Sequence, residues 1–298
     1  MVTSPEPPAT SFPADPPPRL SFWEWYAGER LAADQYAAIH ARSGAPRVCA
    51  TLIPGRCGST LLASLVAQWE CCGQGNEVFN ERPADRWRTR APTAAGFLGQ
   101  ALLAQQSGGV FWFQCTPQRY DHLVTGLDAV IPPTWRLSAI LRRDIVAQAM
   151  SYVYAVGSGV WHSTNPGRAP DAPVRLAGDL DWLADRVLLW TERLAGMEVR
   201  IRELLERQPG PAPLVLFYEE IVRDPQAAAR RFCLDCGSVP PQRPEPFRET
   251  ISRLVKDGEA ALRERVCDRH REALRRLDQD RVAGVLAWAT SLPDTAPG

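Results

Sequence analysis

The segment Pro54–Leu62, with the sequence PGRCGSTLL, places glycines, hydroxyl side chains and an arginine directly after an apolar run. Gly55 and Gly58 allow a tight turn that directs backbone amides inward, and Ser59 and Thr60 add hydroxyl donors. The apolar spacing that follows predicts a helix, whose N-terminus contributes free N–H groups and a positive dipole end. The segment therefore predicts an anion-binding loop, although an ordinary turn whose serines cap a helix would have a similar pattern.

The strongest cation in this loop is Arg56. The loop of P-loop nucleotidases, GxxxxGK[ST], instead supplies a lysine to the phosphates and a hydroxyl to magnesium. Lys256 is the only lysine of the chain, and no apolar strand ends in an acidic residue well placed to hold magnesium. A loop that uses arginine and amides without magnesium suits a phosphate ester or a mixed anhydride better than a triphosphate.

Three further segments carry polar residues beside apolar runs. LRRDIVAQAMSYVYAVGSGVW (141–161) places two arginines after a predicted strand and a serine on the following predicted helix. VLFYEEIVRDP (215–225) begins in another predicted strand, and GNEVFNERP (75–83) follows the helix of the anion loop.

Together these segments resemble the PAPS-dependent sulfotransferases, and most closely their trehalose-sulfotransferase-like bacterial branch. IPGRCGSTLLASLV is similar to the 5′-phosphosulfate loop of that branch, in which an arginine replaces the lysine of the cytosolic animal enzymes. Cys57 stands where the branch usually has serine, which removes one side-chain hydrogen bond. The resemblance implies a donor, 3′-phosphoadenosine 5′-phosphosulfate (PAPS), bound at this loop by Arg56, Cys57, Gly58, Ser59, Thr60 and Leu61.

The 141–161 segment is similar to the 3′-phosphate motif of the same branch. The resemblance implies that Ser151 and one arginine hold this phosphate, and the spacing does not decide between Arg142 and Arg143. The alternative is an exposed basic strand end with Asp144 capping a helix. VLFYEEIVRDP resembles a segment that is structural rather than catalytic throughout the superfamily.

The resemblance also implies a catalytic base. The branch carries its glutamate in a short E-x-F segment, which Glu77 matches in GNEVFNERP. Its rivals are Glu81, His122 and His162, and histidine has the better intrinsic pKa for proton transfer. A carboxylate enclosed beside apolar residues can have its pKa raised towards neutrality, so we expect Glu77 to be the base, ahead of His162.

The predicted reaction is transfer of the sulfuryl group of PAPS to an acceptor hydroxyl by in-line displacement, without a metal. A carbohydrate, a glycolipid or a natural product would supply that hydroxyl. Two alternatives remain at this stage. One is a P-loop kinase for small molecules, and the other is a non-catalytic nucleotide-binding or scaffold protein that binds a partner through an apolar helix stripe between Leu183 and Leu204.

The pattern of apolar segments predicts an α/β fold with a P-loop-like central parallel sheet and helices on both faces. Four short apolar runs predict the strands: Val48–Ile53, Val110–Cys115, Leu137–Leu141 and Leu214–Tyr218. Apolar residues at alternating steps of four and three predict a helix over 181–208 that lies across the sheet. A charged helical region over 257–288 is expected to wrap the outside.

The chain has 298 residues, of which 45% are hydrophobic, enough for one large core. Residues 1–19 form a proline-rich, disordered leader, and 20–298 form a single domain with an added N-terminal helical segment and a helical C-terminal region. The 34 basic and 34 acidic residues cancel, which argues against nucleic acid as a partner. Without a predicted membrane span or signal peptide we expect a cytoplasmic protein, and we leave a homodimer open.

Eight cysteines are spread along the chain without the dense spacing of a secreted disulfide framework. Reduced, buried thiols are therefore expected. Cys233 and Cys236 form one CxxC pair, but no second cysteine or histidine pair stands at the distance typical of zinc fingers. We therefore predict no metal site.

Overall fold

A computed structural model describes residues 24, 26, 28–79, 91–127, 135–161, 176, 179–242, 246–248 and 256–293. Its strands are β1 (Arg47–Leu52), β2 (Gln106–Ser107), β3 (Val110–Cys115), β4 (Arg136–Leu141) and β5 (Leu214–Phe217). Its helices are α1 (Ala33–Arg42), α2 (Ser59–Ala67), α3 (Ala94–Gln105), α4 (Pro117–Thr125), α5 (Ile145–Ser158), α6 (Leu180–Glu206), α7 (Tyr218–Arg223), α8 (Pro225–Asp235), α9 (Glu259–Arg269), α10 (Arg271–Arg281) and α11 (Ala287–Ser291), with a π-helical turn at Val282–Leu286 between the last two. The proline-rich leader, 1–19, lies outside the described residues.

The five strands form one sheet in the order β2-β3-β1-β4-β5. All neighbours are parallel except β2 and β3, which pair antiparallel. The predicted α/β fold with a central parallel sheet is therefore confirmed, with one antiparallel strand added at the edge. The two-residue strand β2 was not predicted, because so short a segment has no hydrophobic period of its own.

Helices cover both faces of this sheet, and side chains alternate between the two faces along each strand. In β1, Val48, Ala50 and Leu52 belong to the core beneath α3, whereas Cys49 packs with α2 and α8 on the other face. Both sets are buried, which explains why the sequence of this strand is a nearly continuous apolar run.

The apolar stripe predicted for 181–208 lies on α6, and four of its residues are buried. Leu183, Val187 and Leu194 pack with residues of α5 and α9, and Ile201 joins the core against the sheet. These four residues stabilise the domain itself, whereas Trp190, Met197 and Leu204 are half-buried.

The C-terminal helices do more than wrap the outside. Leu262 and Val266 of α9 are buried against α5 and α6, and Arg281 at the end of α10 is only 3% exposed. Among the described residues, no helix is both long and apolar enough to cross a membrane.

Candidate functional site

The predicted anion loop lies at the carboxyl end of β1, between β1 and α2. Gly55, Arg56 and Gly58 all have positive φ, at 86°, 54° and 88°, so the backbone turns sharply before the helix begins at Ser59. A Cβ at Gly58 would lie 2.5 Å from Cδ2 of Tyr218, so only glycine fits there without displacing the ring.

Two buried amide side chains from neighbouring elements fix this loop. Gln148 of α5 donates from Nε2 to the carbonyl oxygen of Gly55 at 2.6 Å, and Gln114 of β3 donates to that of Ser59 at 3.1 Å. The loop is therefore held from both sides before any ligand arrives, which is the condition for a preorganised anion site.

Arg56 connects the loop to the 141–161 segment. Its Nε donates to the hydroxyl of Ser151 at 3.1 Å, and its Nη1 donates to the carbonyl oxygen of Trp161. Both acceptors are neutral oxygens, so these bonds orient the guanidinium without cancelling its charge. Burial lowers the pKa of Arg56, but an arginine remains protonated under all ordinary conditions.

Arg142 follows β4 and lies close to the same loop. Its guanidinium stacks on the ring of Tyr218, 4.5 Å from the centroid, and that ring fills the space beside Gly58. Its charge acts on Arg56, whose pKa is lowered first by burial and further by Arg142. The Nε of Arg142 is buried and has no hydrogen-bond partner within the described part of the chain. A buried donor of this kind is available to an incoming oxyanion.

Arg143 has a different environment. It is exposed, its Nη2 forms an ion pair with Oε1 of Glu220 at 3.0 Å, and its guanidinium lies 3.7 Å from the centroid of Phe217. Its backbone N–H donates to the carboxylate of Glu219. A carboxylate therefore already neutralises the Arg143 side chain.

Arg281 was not singled out by the sequence. Its guanidinium pairs with the fully buried Glu198 at 2.8 and 3.0 Å, and it donates to the carbonyl oxygens of Arg142 and Arg143 at 2.9 and 3.1 Å. This pair positions the strand end that carries the two arginines. No local signal marks it, because Arg281 is one of several arginines in a charged helix.

Glu77 also lies at the carboxyl end of the sheet. The preceding Asn76 pairs with Phe113 of β3 in an isolated parallel bridge, and the N–H of Gln114 donates to the Asn76 carbonyl oxygen at 3.2 Å. Glu77 is half-buried, and its charge contributes to raising the pKa of Cys57 after the larger effect of burial. Glu77 is therefore near the anion loop.

The structure gives less information about the alternative candidates for the catalytic base. His122 is exposed, in the last turn of α4. Glu81 and His162 lie outside the described residues, so the structure does not bear on either of them.

The remaining loop residues divide into buried and accessible groups. The side chain of Cys57 is fully buried with Ile53 and Leu62, and burial raises its pKa to about 12. It therefore stays a protonated thiol inside the core. Ser59 is buried at the start of α2, whereas Thr60 and Leu61 are half-buried.

The chain is similar to two solved structures at low sequence identity. One is a sulfotransferase from Alicyclobacillus acidocaldarius, with a TM-score of 0.49 and 16% identity, covering 82% of this chain and 96% of that one. The other is the sulfotransferase domain from the curacin biosynthetic pathway, with a TM-score of 0.42 and 14% identity, covering 83% and 99%. No family model matches the chain, and no curated protein matches it in sequence. The strand order and direction described above define the fold as α/β.

Proposed function

We propose that the protein is a PAPS-dependent sulfotransferase that acts on a hydroxyl of a small acceptor. The observation that carries this proposal is the hydrogen bond between Arg56 Nε and Ser151 Oγ. These residues belong to the two segments that resemble the 5′-phosphosulfate and 3′-phosphate motifs, and they are 95 positions apart in the chain. Their contact supports a single site that takes a nucleotide with anionic groups at both positions.

In this proposal, different arginines bind the two anionic ends of PAPS. Arg56 and the amides of the loop at the start of α2 bind the 5′-phosphosulfate, where helix dipole and guanidinium act together. Arg142 and Ser151 bind the 3′-phosphate, because the Nε of Arg142 is buried without a hydrogen-bond partner among the described residues, whereas Arg143 is paired with Glu220. Cys57 contributes only through its backbone, since its side chain faces the core.

The proposed chemical step is an in-line displacement at sulfur. The acceptor oxygen forms a bond to the sulfuryl group as the bond from sulfur to the 5′-phosphate oxygen breaks, and adenosine 3′,5′-bisphosphate leaves. Glu77 takes the proton of the acceptor hydroxyl. Arg56 stabilises the charge that develops on the departing phosphate, as preorganised donors do in the related case of phosphoryl transfer.

The proposal specifies the chemical class of the acceptor and does not name a single compound. A carbohydrate, a glycolipid or a hydroxylated natural product each offers the neutral hydroxyl that this step requires. A panel containing one member of each class, incubated with PAPS carrying labelled sulfur, identifies the class by the product that retains the label.

A binding experiment tests the donor before any acceptor is known. Calorimetric titration with adenosine 3′,5′-bisphosphate, AMP and ATP with magnesium should show the tightest binding for the bisphosphate. Equal affinity for the bisphosphate and AMP would contradict a 3′-phosphate site. Tight binding of ATP that depends on magnesium would support a kinase instead.

A further inference from the structure

Four cysteines from two distant segments meet at the amino end of the sheet, a point that the sequence did not indicate. Cys71 and Cys72 follow α2, Cys233 lies in the last turn of α8, and Cys236 directly follows that helix. The sulfurs of Cys71, Cys72 and Cys233 all lie within 4.8 Å of one another. Cys236 belongs to the same buried cluster as Cys72 and Cys233.

The location is opposite to the proposed nucleotide site. Cys49, in the first half of β1, lies with its sulfur 3.9 Å from the carbonyl oxygen of Cys236. A Cβ at Gly108, two residues before β3, would lie 2.3 Å from the carbonyl oxygen of Cys71. Arg56 and Arg142, by contrast, follow the carboxyl ends of β1 and β4. The cysteines are therefore separate from the proposed chemistry.

We propose that Cys71, Cys72 and Cys233 bind a structural Zn²⁺ ion as thiolates, with the neighbouring Cys236 or a water as the fourth ligand. Each cysteine would release its thiol proton to solvent when its sulfur bonds to the metal. A tetrahedral site with zinc–sulfur bonds of about 2.3 Å separates its sulfurs by about 3.8 Å. The sulfurs of Cys71 and Cys233 are 3.5 Å apart, so little movement is needed to admit the ion.

The two ligand segments are already tied together by one residue. The backbone N–H of Ser238 donates to the carbonyl oxygen of Cys233 at 2.9 Å, and its hydroxyl donates to that of Cys71. A metal site needs such supporting bonds, because they fix ligand positions before the ion arrives. This makes the arrangement more than a chance contact of small apolar side chains.

The surroundings suit a soft cation with several thiolate ligands. Cys72, Cys233 and Cys236 are buried, and Cys71 is partly exposed, which gives the ion a path from solvent. The guanidinium of Arg47 donates to the carbonyl oxygen of Gly237, next to Cys236 in sequence, and so ties the start of β1 to this segment. Thiolates favour zinc over hard cations such as magnesium and calcium.

The test uses the full chain, purified under reducing conditions without chelators. We expect about one zinc ion per chain by elemental analysis, as a fourth thiolate or water completes a single tetrahedral centre. After zinc is removed, titration with Co²⁺ should produce the sulfur-to-metal charge-transfer bands and the intense d–d bands of tetrahedral cobalt thiolate. The absence of bound metal, or a cobalt spectrum without thiolate bands, would overturn the proposal.

Matched serine variants locate the ligands. Cys71→Ser should weaken Co²⁺ binding by at least about 10²-fold, since loss of a supporting partner alone costs about 10–100-fold. Cys267→Ser, at an exposed cysteine in α9, should leave the cobalt spectrum and affinity unchanged. Because Cys71 is partly exposed, its replacement preserves the core, which circular dichroism would verify. An unchanged affinity in Cys71→Ser would overturn the assignment.

Discussion

The two ends of the parallel strands differ in the groups that they gather. At the carboxyl ends, Arg142 lies near the loop that contains Arg56, in which three residues have positive φ and which leads into a helix. At the amino ends, the sulfurs of Cys71, Cys72 and Cys233 lie within 4.8 Å of one another between α2 and α8. The helices that follow parallel strands begin at the carboxyl ends of those strands, so the positive ends of the helix dipoles favour a bound phosphate or sulfate at that edge.

The two proposals together place two kinds of site at opposite ends of one strand. β1 begins with Arg47, which contacts the segment after α8, and the loop after its last residue contains Arg56. Uncharged residues lie between them, so each arginine acts on its own end. Substitutions at the two ends should therefore have separable effects.

The largest expected effect is that of Glu77→Gln at the carboxyl end. The change preserves shape but removes the proton acceptor, so turnover should fall by about 10²–10⁴-fold while affinity for adenosine 3′,5′-bisphosphate stays nearly constant. Steady-state transfer assays and calorimetry measure the two quantities. If Glu77→Gln stays active whereas a folded, nucleotide-binding His162→Ala variant is inactive, the base is His162.

The next largest effect is the loss of turnover on replacing Arg56, which can be compared with replacement of Arg47 at the other end of β1. Arg56→Ala should lower turnover by about 10²–10³-fold, as for loss of a preorganised charge-stabilising donor. Arg56→Lys should recover only part of this loss, because the guanidinium fork is missing. Arg47→Ala, the matched change at the amino end, should leave turnover per folded molecule unchanged. Similar losses in both alanine variants would remove the distinction between the two ends.

A smaller effect separates the neighbouring arginines after β4. Arg142→Ala should weaken binding of adenosine 3′,5′-bisphosphate by ~10–10²-fold and leave AMP binding nearly unchanged, because a hydrogen bond to a charged group is lost. Arg143→Ala should have little effect on either nucleotide, since its guanidinium is paired with Glu220. The reverse pattern in calorimetric titrations would assign the 3′-phosphate to Arg143.

The smallest effect is expected from Cys71→Ser. If the amino-end cluster is independent of the nucleotide site, affinity for adenosine 3′,5′-bisphosphate should change by less than about 2-fold, as for distant sites without shared partners. The thermal midpoint in the presence of zinc should nevertheless fall. A large loss of nucleotide affinity in the folded variant would show that the two ends are coupled.

The local sequence pattern was sufficient to predict most of the strands and helices. The four longer strands begin and end within one residue of their predicted bounds, because uninterrupted apolar runs are characteristic of strands buried on both faces. The helix predicted over 181–208 was also correct, and it spans Leu180–Glu206. In contrast, β2 and the break between α9 and α10 depend on tertiary contacts that no short window contains.

The candidate site was predictable only where residues are neighbours in sequence. The turn around Arg56 and the placement of Arg142 after a strand follow from local pattern. The environments that distinguish Arg142 from Arg143 come from Tyr218 and Glu220, more than 70 positions away. The cysteine cluster was missed for the same reason: Cys71 and Cys233 are 162 positions apart and meet only when α2 and α8 pack together.

The bonds made by Arg281 have a consequence for the order in which the protein matures. Its guanidinium supports the carbonyl oxygens of Arg142 and Arg143, which precede it by 139 and 138 positions. During synthesis the strand end that carries these arginines leaves the ribosome long before its support does. The proposed nucleotide site is therefore completed only when α10 has been made and has docked, and a partly synthesised chain would lack the final geometry of that site.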